Sequence, residues 1–137
     1  LVHPRALVGL GDGGAHVGSI CDASMPTFLL THWARDRANG IPLARVVQMQ
    51  AHDTARFMGL RDRGTLEVGM RADMNIVDLA RLALLRPVMQ HDLPAGGRRL
   101  VQRAEGLVAT YVGGVAIAEH GALTGARPGK LVRMSAR

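Results

Sequence analysis

The amino-terminal part of the chain begins with an apolar stretch and continues into a loop rich in glycine. Residues 6–10 are apolar apart from Gly9, and a short apolar run of this kind is typical of a fully buried strand. Four glycines fall within residues 11–18, which favours a flexible loop over a regular element. The pattern therefore predicts one buried strand at 6–10 that ends in this loop.

Apolar side chains then recur with helical spacing. Leu29, Leu30 and Trp33 share one face of a predicted helix. Ser24 is a residue type that caps helices, and Pro26 falls in the first turn, where a missing N–H is harmless. We therefore expect a helix that runs from about residue 24 to about residue 36.

Two further helices are predicted before residue 60. Pro42 is placed to start a second helix, which continues through the apolar residues 46–49. Asp53 is the expected cap of a third, short helix at 54–58, which Gly59 closes. The first 60 residues are thus predicted to be one strand, a loop and three helices.

The pattern changes at about Arg61, after which glycine and β-branched residues separate short segments. Residues 73–78 alternate with a period close to two, which predicts a strand. Residues 86–98 are polar and contain proline and glycine, so we expect a connection there. Two apolar runs, 107–112 and 115–118, are joined by two consecutive glycines, which is a strong hairpin signal because both turn positions tolerate a positive φ.

Length and charge exclude several classes of protein. A complete (β/α)8 barrel needs about 250 residues, and this chain has 137. The net charge is +6, but the basic residues are scattered and aromatic residues make up 3%. We therefore expect no nucleic-acid partner, since a basic patch and a base-stacking platform are both missing. No apolar run approaches the roughly 20 residues of a membrane span, so no membrane partner is expected.

The single cysteine and the first residues of the chain bear on its location and extent. One cysteine cannot form an internal disulfide framework, and no signal-peptide pattern is present. We therefore expect a cytoplasmic protein. The opening residues, Leu1 to Pro4, look like the middle of a longer sequence.

Asp12 is the first candidate for chemistry. It follows the predicted strand directly and lies in the glycine-rich loop. In parallel α/β folds the carboxyl ends of the strands are where ligands and catalytic groups meet, and a carboxylate there can act as a general base or a metal ligand. The alternative is an aspartate that accepts hydrogen bonds from its own loop. The pattern leaves both interpretations open.

Other residues near this loop give weaker indications. His3, His16, Cys21 and Asp22 can be imagined as zinc ligands, but the chain has no His-x-His and no Cys-x-x-Cys spacing. A histidine in a glycine loop is more often a hydrogen-bonding or packing residue, and a free cysteine is usually a small buried apolar residue. The glycines do not follow a nucleotide-binding pattern, so phosphate binding by this loop is the weaker interpretation.

Two blocks of sequence carry a resemblance to a known family. The first block consists of Gly9-Leu10-Gly11-Asp12-Gly13-Gly14-Ala15-His16-Val17-Gly18, Cys21-Asp22-Ala23-Ser24 and Leu30-Thr31-His32-Trp33. The second consists of Gly59-Leu60-Arg61-Asp62-Arg63-Gly64-Thr65-Leu66-Glu67-Val68-Gly69 and Ala72-Asp73-Met74-Asn75-Ile76-Val77-Asp78. Together they resemble the end of the metal-dependent amidohydrolases, and within them the N-acyl-D-amino-acid deacylases (D-aminoacylases). The order of these blocks along the chain is more specific than either block alone.

The resemblance implies an α/β fold in two parts. Residues 1–60 are expected to be the last strand and helices of a (β/α)8 amidohydrolase barrel, and residues 61–137 the carboxyl-terminal strands of a small β-sandwich-like domain. It also implies that Asp12 is the catalytic aspartate, which takes a proton from metal-bound water and passes it to the leaving amine. His16 matches a position near the family's active site, and we therefore treat it as a candidate substrate-binding residue.

The same resemblance implies zinc as the cofactor and an N-acyl-D-amino acid as the small-molecule substrate. By this resemblance Asp12 is a possible metal ligand, and the family's other ligands come from earlier barrel strands, so the 137 residues alone are expected to be inactive. One alternative is a cyclic-amide hydrolase of the hydantoinase or dihydroorotase type. Another is a non-enzymatic, basic, β-rich interaction module. A lone barrel strand would expose unpaired edges, so we also expect self-association through exposed strand edges.

Overall fold

The computed structural model describes residues 1–9, 14 and 16–133. Within them, two helical segments are followed by eight short strands. This mixture of helix and strand fits the α/β class predicted from the sequence. The assignment of the first part to the end of a barrel, the assignment of the strands to a β-sandwich-like domain and the division at residue 60 remain predictions.

The first helix confirms the predicted element, although its details differ. It consists of a 3-10 turn at Asp22–Ser24, an α-helical turn at Met25–Phe28 and a π-helical stretch at Leu29–Asp36. Ser24 makes no capping hydrogen bond, so its predicted role was wrong. Its hydroxyl donates instead to Oε1 of Gln102, at 2.6 Å, because a strand segment from far along the chain packs beside the helix start.

The second helix merges two elements that the sequence pattern had separated. Leu43–Gln48 is α-helical, Met49–Asp53 is π-helical and Thr54–Phe57 is α-helical again. Asp53 was predicted to cap a third helix, but its backbone is helical (φ −66°, ψ −41°) and its side chain forms no cap. The carboxylate is held instead by Arg45 and His52. No described helix is both long enough and apolar enough to cross a membrane.

The predicted stop at Gly59 is confirmed. Gly59 has a φ of +72°, and its N–H donates to the carbonyl of Arg56 while the N–H of Leu60 donates to the carbonyl of Ala55. These two bonds form a Schellman motif, which satisfies carbonyls at the end of the helix.

The strands form three antiparallel groups. They are β1 (Met74–Val77), β2 (Ala83–Leu84), β3 (Val88–Leu93), β4 (Gly97–Val101), β5 (Ala104–Glu105), β6 (Leu107–Val112), β7 (Val115–Glu119) and β8 (Ala122–Leu123). One sheet has the order β1-β6-β7-β8, while β2 pairs with β5 and β3 pairs with β4. The β6–β7 hairpin confirms the prediction, and its turn residues Gly113 and Gly114 both have positive φ, +57° and +80°.

Two other predictions about strands were wrong. Residues 6–9 of the predicted strand 6–10 form no strand, because no described segment pairs with them and a strand requires such a partner; Leu10 lies outside the described residues. Residues 86–98 were predicted to be a connection, but β3 and the start of β4 occupy most of them. Their hairpin is closed by a 3-10 turn at Pro94–Gly96.

The helices share a small apolar core. Leu29, Ile41 and Val46 are buried against one another, and Trp33 packs beside them. The first helix is also bound to the chain before β2, because Nη1 of Arg35 donates to the carbonyls of Leu79 and Leu82, each at 2.7 Å. These contacts fix the helices next to the strands.

Candidate functional site

The loop that carries the sequence-predicted catalytic residue is described only in part. Asp12 lies outside the described residues, so its predicted role as catalytic base and metal ligand stays a prediction. His16 is exposed and has a left-handed backbone with a φ of +48°. Its carbonyl accepts the N–H groups of Ser19 and Ile20, at 2.8 and 3.1 Å. The main chain at His16 is thus tied into a tight turn, while its side chain faces solvent.

The end of this loop is attached to the strands. The N–H of Leu100 in β4 donates to the carbonyl of Val17 at 2.7 Å. A Cβ added to Gly18 would lie 3.9 Å from the carbonyl oxygen of Arg98. Because β4 belongs to a hairpin that the sequence pattern did not predict, this attachment was not foreseen.

A cleft of about 630 Å³ separates the loop and first helix from the strands, and we call it the loop cleft. Cys21 and Ser24 lie on its helix side, and Arg99, Gln102 and His120 lie on its strand side. Cys21 is half-buried, so it is more exposed than the buried apolar residue that we expected. The cleft lies beside the predicted catalytic loop and can admit a small molecule.

Three of the polar side chains that line the loop cleft are engaged with other protein groups. Ser24 donates to Gln102, and Nε2 of Gln102 donates to the carbonyl of Leu85 at 2.9 Å. Arg99 binds the two carboxylate oxygens of Asp92 at 2.8 and 2.7 Å. This ion pair lowers the pKa of Asp92 and raises that of Arg99. These contacts hold the wall of the cleft in place but form no nucleophile–base pair.

A second group of charged residues lies on the second helix. Asp53 accepts hydrogen bonds from Nη1 of Arg45 at 2.6 Å and pairs with Nδ1 of His52 at 3.1 Å. The hydrogen bond to His52, together with that to Arg45, lowers the pKa of the Asp53 carboxyl group. His52 and Asp53 are neighbours in the sequence, and this spacing carries no recognisable motif, so the pair was not predicted.

The described residues do not provide a metal centre. No three histidine, cysteine, aspartate or glutamate residues come together among them in a way that could hold a metal ion. His3, His16 and Cys21 are therefore not brought together as a zinc site. Nδ1 of His3 instead accepts the N–H of Arg5 at 3.2 Å.

Comparison with protein families decides the class of the chain. Residues 1–118 match the model described as the amidohydrolase family. The chain belongs to the amidohydrolase family. The match begins before the glycine-rich loop and ends within β7, so this amidohydrolase segment includes Asp12, His16 and both helices. A comparison with the curated proteins finds no match, and neither does a comparison with the solved structures. Membership in this family supports the prediction that the protein is a hydrolase of the amidohydrolase superfamily.

Proposed function

We propose that this amidohydrolase chain takes part in hydrolysing the amide bond of N-acyl-D-amino acids, which are small soluble substrates. The observation that carries the proposal is the family match over residues 1–118, because it includes the loop at 9–18 together with the helices and most of the strands. The choice of N-acyl-D-amino acids within the superfamily rests on the sequence resemblance of that loop and of residues 59–78.

In the proposed reaction Asp12 moves one proton. A water oxygen attacks the acyl carbon, and the carboxylate of Asp12 accepts a proton from that water. When the tetrahedral intermediate collapses, the C–N bond breaks and Asp12 returns the proton to the amine nitrogen. The products are a carboxylic acid and a D-amino acid, so atoms and charges balance. Support for this role comes from the position of Asp12 in the matched segment.

His16 is proposed to contact the substrate. Its exposed side chain and the two backbone hydrogen bonds to its carbonyl suit a group that is presented to a ligand from a fixed turn. No charge is required of it in this role. A neutral imidazole can donate one hydrogen bond from its N–H to an acyl or carboxylate oxygen.

Zinc is the metal that the sequence resemblance implies, and it would supply a water of lowered pKa. A zinc site normally has three or four protein ligands, and the described residues do not bring three suitable side chains together. These residues therefore do not fit a zinc ion by themselves. The proton transfer by Asp12 is for this reason proposed without any step through the metal.

The proposal is tested by the stereochemistry of the substrate. The complete translation product of the gene should be assayed for amine release from N-acetyl-D-leucine and N-acetyl-L-leucine, with hydantoin and dihydroorotate in parallel. We expect the D enantiomer to be hydrolysed about tenfold or more faster than the L enantiomer, since a chiral pocket discriminates on this scale. Faster opening of a cyclic amide, or equal rates for both enantiomers, would overturn the proposed substrate class.

A further inference from the structure

A second cleft, of about 540 Å³, lies at the carboxyl-terminal end of the second helix, and we call it the arginine cleft. The helix contributes His52 and Arg56, which are four residues apart and therefore lie on the same face, one turn above the other. After the stop at Gly59 the chain turns back past this face. The arginine cleft contains no residue of the predicted catalytic loop, so it is independent of the proposed deacylase function.

The returning segment supplies the second wall of the arginine cleft. The residues that line it are Gly59, Leu60, Arg61, Arg63, Thr65, Glu67 and Met70. The face of the helix and one side of the returning segment together form the two walls.

Close packing at Gly64 fixes the distance between these walls. Its φ is +91°, and a Cβ added there would lie 2.8 Å from Cβ of Ala55 and 3.1 Å from the carbonyl oxygen of Ala51. The segment is also closed on itself, because the N–H of Arg71 donates to the carbonyl of Asp62 at 2.7 Å. Backbone packing and a backbone hydrogen bond therefore hold the arginine cleft in shape.

The charge in the arginine cleft is unbalanced. Arg63 is neutralised by Asp62 and Asp73, at 3.0 and 3.1 Å. In the part of the chain that the structure describes, Arg56 and Arg61 form no ion pair, and Glu67 is the one carboxylate that lines the cleft. Two guanidinium groups therefore face one carboxylate, which favours an anionic ligand.

Thr65 gives an independent indication that a polar partner is missing. Its Oγ1 is shielded from solvent and has no hydrogen-bond partner among the described residues. A buried hydroxyl without a partner is unfavourable, and Thr65 belongs to the wall that carries Arg61 and Arg63. Thr65 lines the cleft, so a ligand bound at this wall lies next to the Thr65 side chain.

We propose that the arginine cleft binds a phosphate group, either as free phosphate or as the phosphate of a small ester. Arg56 and Arg61 supply planar forks of N–H donors that match phosphate oxygens, and Thr65 supplies a hydroxyl donor. A phosphate has enough acceptor oxygens for all three groups, whereas a carboxylate has only two. The remaining volume of the cleft has room for the organic part of an ester.

The binding test uses inorganic phosphate and glycerol 3-phosphate, titrated calorimetrically into the full chain against chloride of equal ionic strength. Arg56→Gln and Arg61→Gln are compared with Arg86→Gln, which alters an exposed arginine outside the lining of the cleft. We expect the first two substitutions to weaken binding about tenfold or more, which corresponds to the loss of a charged contact. Arg86→Gln should leave the affinity within about twofold.

The results also identify the source of the phosphate group. Tighter binding of glycerol 3-phosphate than of inorganic phosphate indicates an ester, and the reverse order indicates free phosphate. Equal weakening by all three arginine substitutions would show a response to net charge alone and would overturn the site. Failure of both phosphates to bind the wild-type chain would overturn it as well. Neither outcome affects the proposed deacylase function, because that function is measured by amine release.

Thr65→Val provides a second readout that a purely structural role would not produce. In the absence of phosphate we expect the melting temperature of this variant to equal or exceed that of the wild type, because an unpartnered buried hydroxyl is removed. At a phosphate concentration that saturates the wild type, phosphate should raise the melting temperature of the variant several-fold less than it raises that of the wild type. A variant that is stabilised by phosphate as strongly as the wild type would contradict the part assigned to Thr65.

Discussion

Gly106 lies against the backbone of Leu82, with no room for a side chain between them. A Cβ added to Gly106 would lie 2.6 Å from both the backbone N and the Cα of Leu82. Leu82 is fully buried, and the carbonyl of Gly106 accepts the N–H of Asp78 at 2.8 Å. The contact therefore fixes the chain before β2 against the start of β6.

Replacement of Gly106 by alanine should lower the free energy of unfolding by more than the cost of placing alanine in a left-handed backbone conformation. The φ of Gly106 is +79°, and Gly121 has nearly the same φ, +81°, but open space around it. We expect Gly121→Ala to cost about 1–2 kcal/mol for the left-handed backbone. Gly106→Ala should cost about 1–3 kcal/mol more, because the added atom overlaps Leu82. Urea unfolding of both variants measures the difference, and equal losses would contradict the contact.

Val46 and Val47 are neighbours in sequence with opposite environments. Val46 is 1% exposed in the helical core, whereas Val47 is 49% exposed. Val46→Ala should lower the free energy of unfolding by about 2 kcal/mol, through lost burial and a residual cavity. Val47→Ala should change it by about 0.5 kcal/mol or less. Urea unfolding measures both, and a larger effect at Val47 would show that the second helix packs on its other face.

Asp73 joins three parts of the chain through its carboxylate. It accepts hydrogen bonds from the N–H of Gly113 at 2.8 Å, Nε of Arg71 at 2.9 Å and Nη1 of Arg63 at 3.1 Å. Burial is the largest single influence and opposes ionisation, but the bonds from Gly113 and Arg71 and the two positive charges outweigh it. The pKa of Asp73 is therefore below its ordinary value of 3.8.

The depressed pKa of Asp73 predicts a pH-dependent contribution to stability. Because the folded state holds the ionised form, the contribution is complete above the unfolded pKa and is lost as the pH falls below 3.8 through the folded pKa. At pH 7 we expect Asp73→Asn to be less stable than the wild type by about 1–2 kcal/mol. The difference should shrink below about pH 4, as the wild-type carboxyl group becomes protonated. Thermal unfolding from pH 2 to pH 7 tests this; a difference that stays constant over that range would contradict the assignment.

β1 is an edge of the four-stranded sheet, and we propose that the chain associates with itself through this edge. Ile76 on β1 is 48% exposed, and an exposed apolar edge strand favours pairing between chains. Sedimentation should show a coefficient that rises with concentration, and Ile76→Lys should abolish the rise. Val115→Lys is the control, because Val115 is similarly exposed, at 45%, on an inner strand. Equal behaviour of the two variants would contradict the role of the edge.

The sequence predicted correctly those elements that depend on residues close together in the chain, such as a turn or the end of a helix. The β6–β7 hairpin follows from its two glycines, and the end of the second helix follows from Gly59. The β3–β4 hairpin was missed because Ala95 has a φ of +57°, a conformation that alanine rarely adopts. The strand at 6–10 was predicted from an apolar run, but residues 6–9 find no partner among the described residues.

Long-range contacts could not be predicted from single positions. Ser24 and Gln102 are 78 residues apart in sequence, and Ser24 carried the ordinary signal of a helix cap. Likewise, the walls of the arginine cleft meet because Gly64 packs on the second helix, whereas a lone glycine in the sequence indicates only a turn. For Asp12 the pattern and the resemblance remain the whole argument, since the residue lies outside the described part of the chain.

The central claim, that Asp12 is the proton-transferring carboxylate of an amide hydrolase, is tested most directly by one substitution. Amine release from N-acetyl-D-leucine should be measured for the complete translation product carrying Asp12→Asn, with Asp36→Asn as the control that alters an exposed ion pair at the end of the first helix. We expect kcat to fall by about 100-fold or more for Asp12→Asn, since an amide cannot take the proton from water. Asp36→Asn should retain wild-type kcat. Retention of full activity by Asp12→Asn in a folded protein would contradict the account.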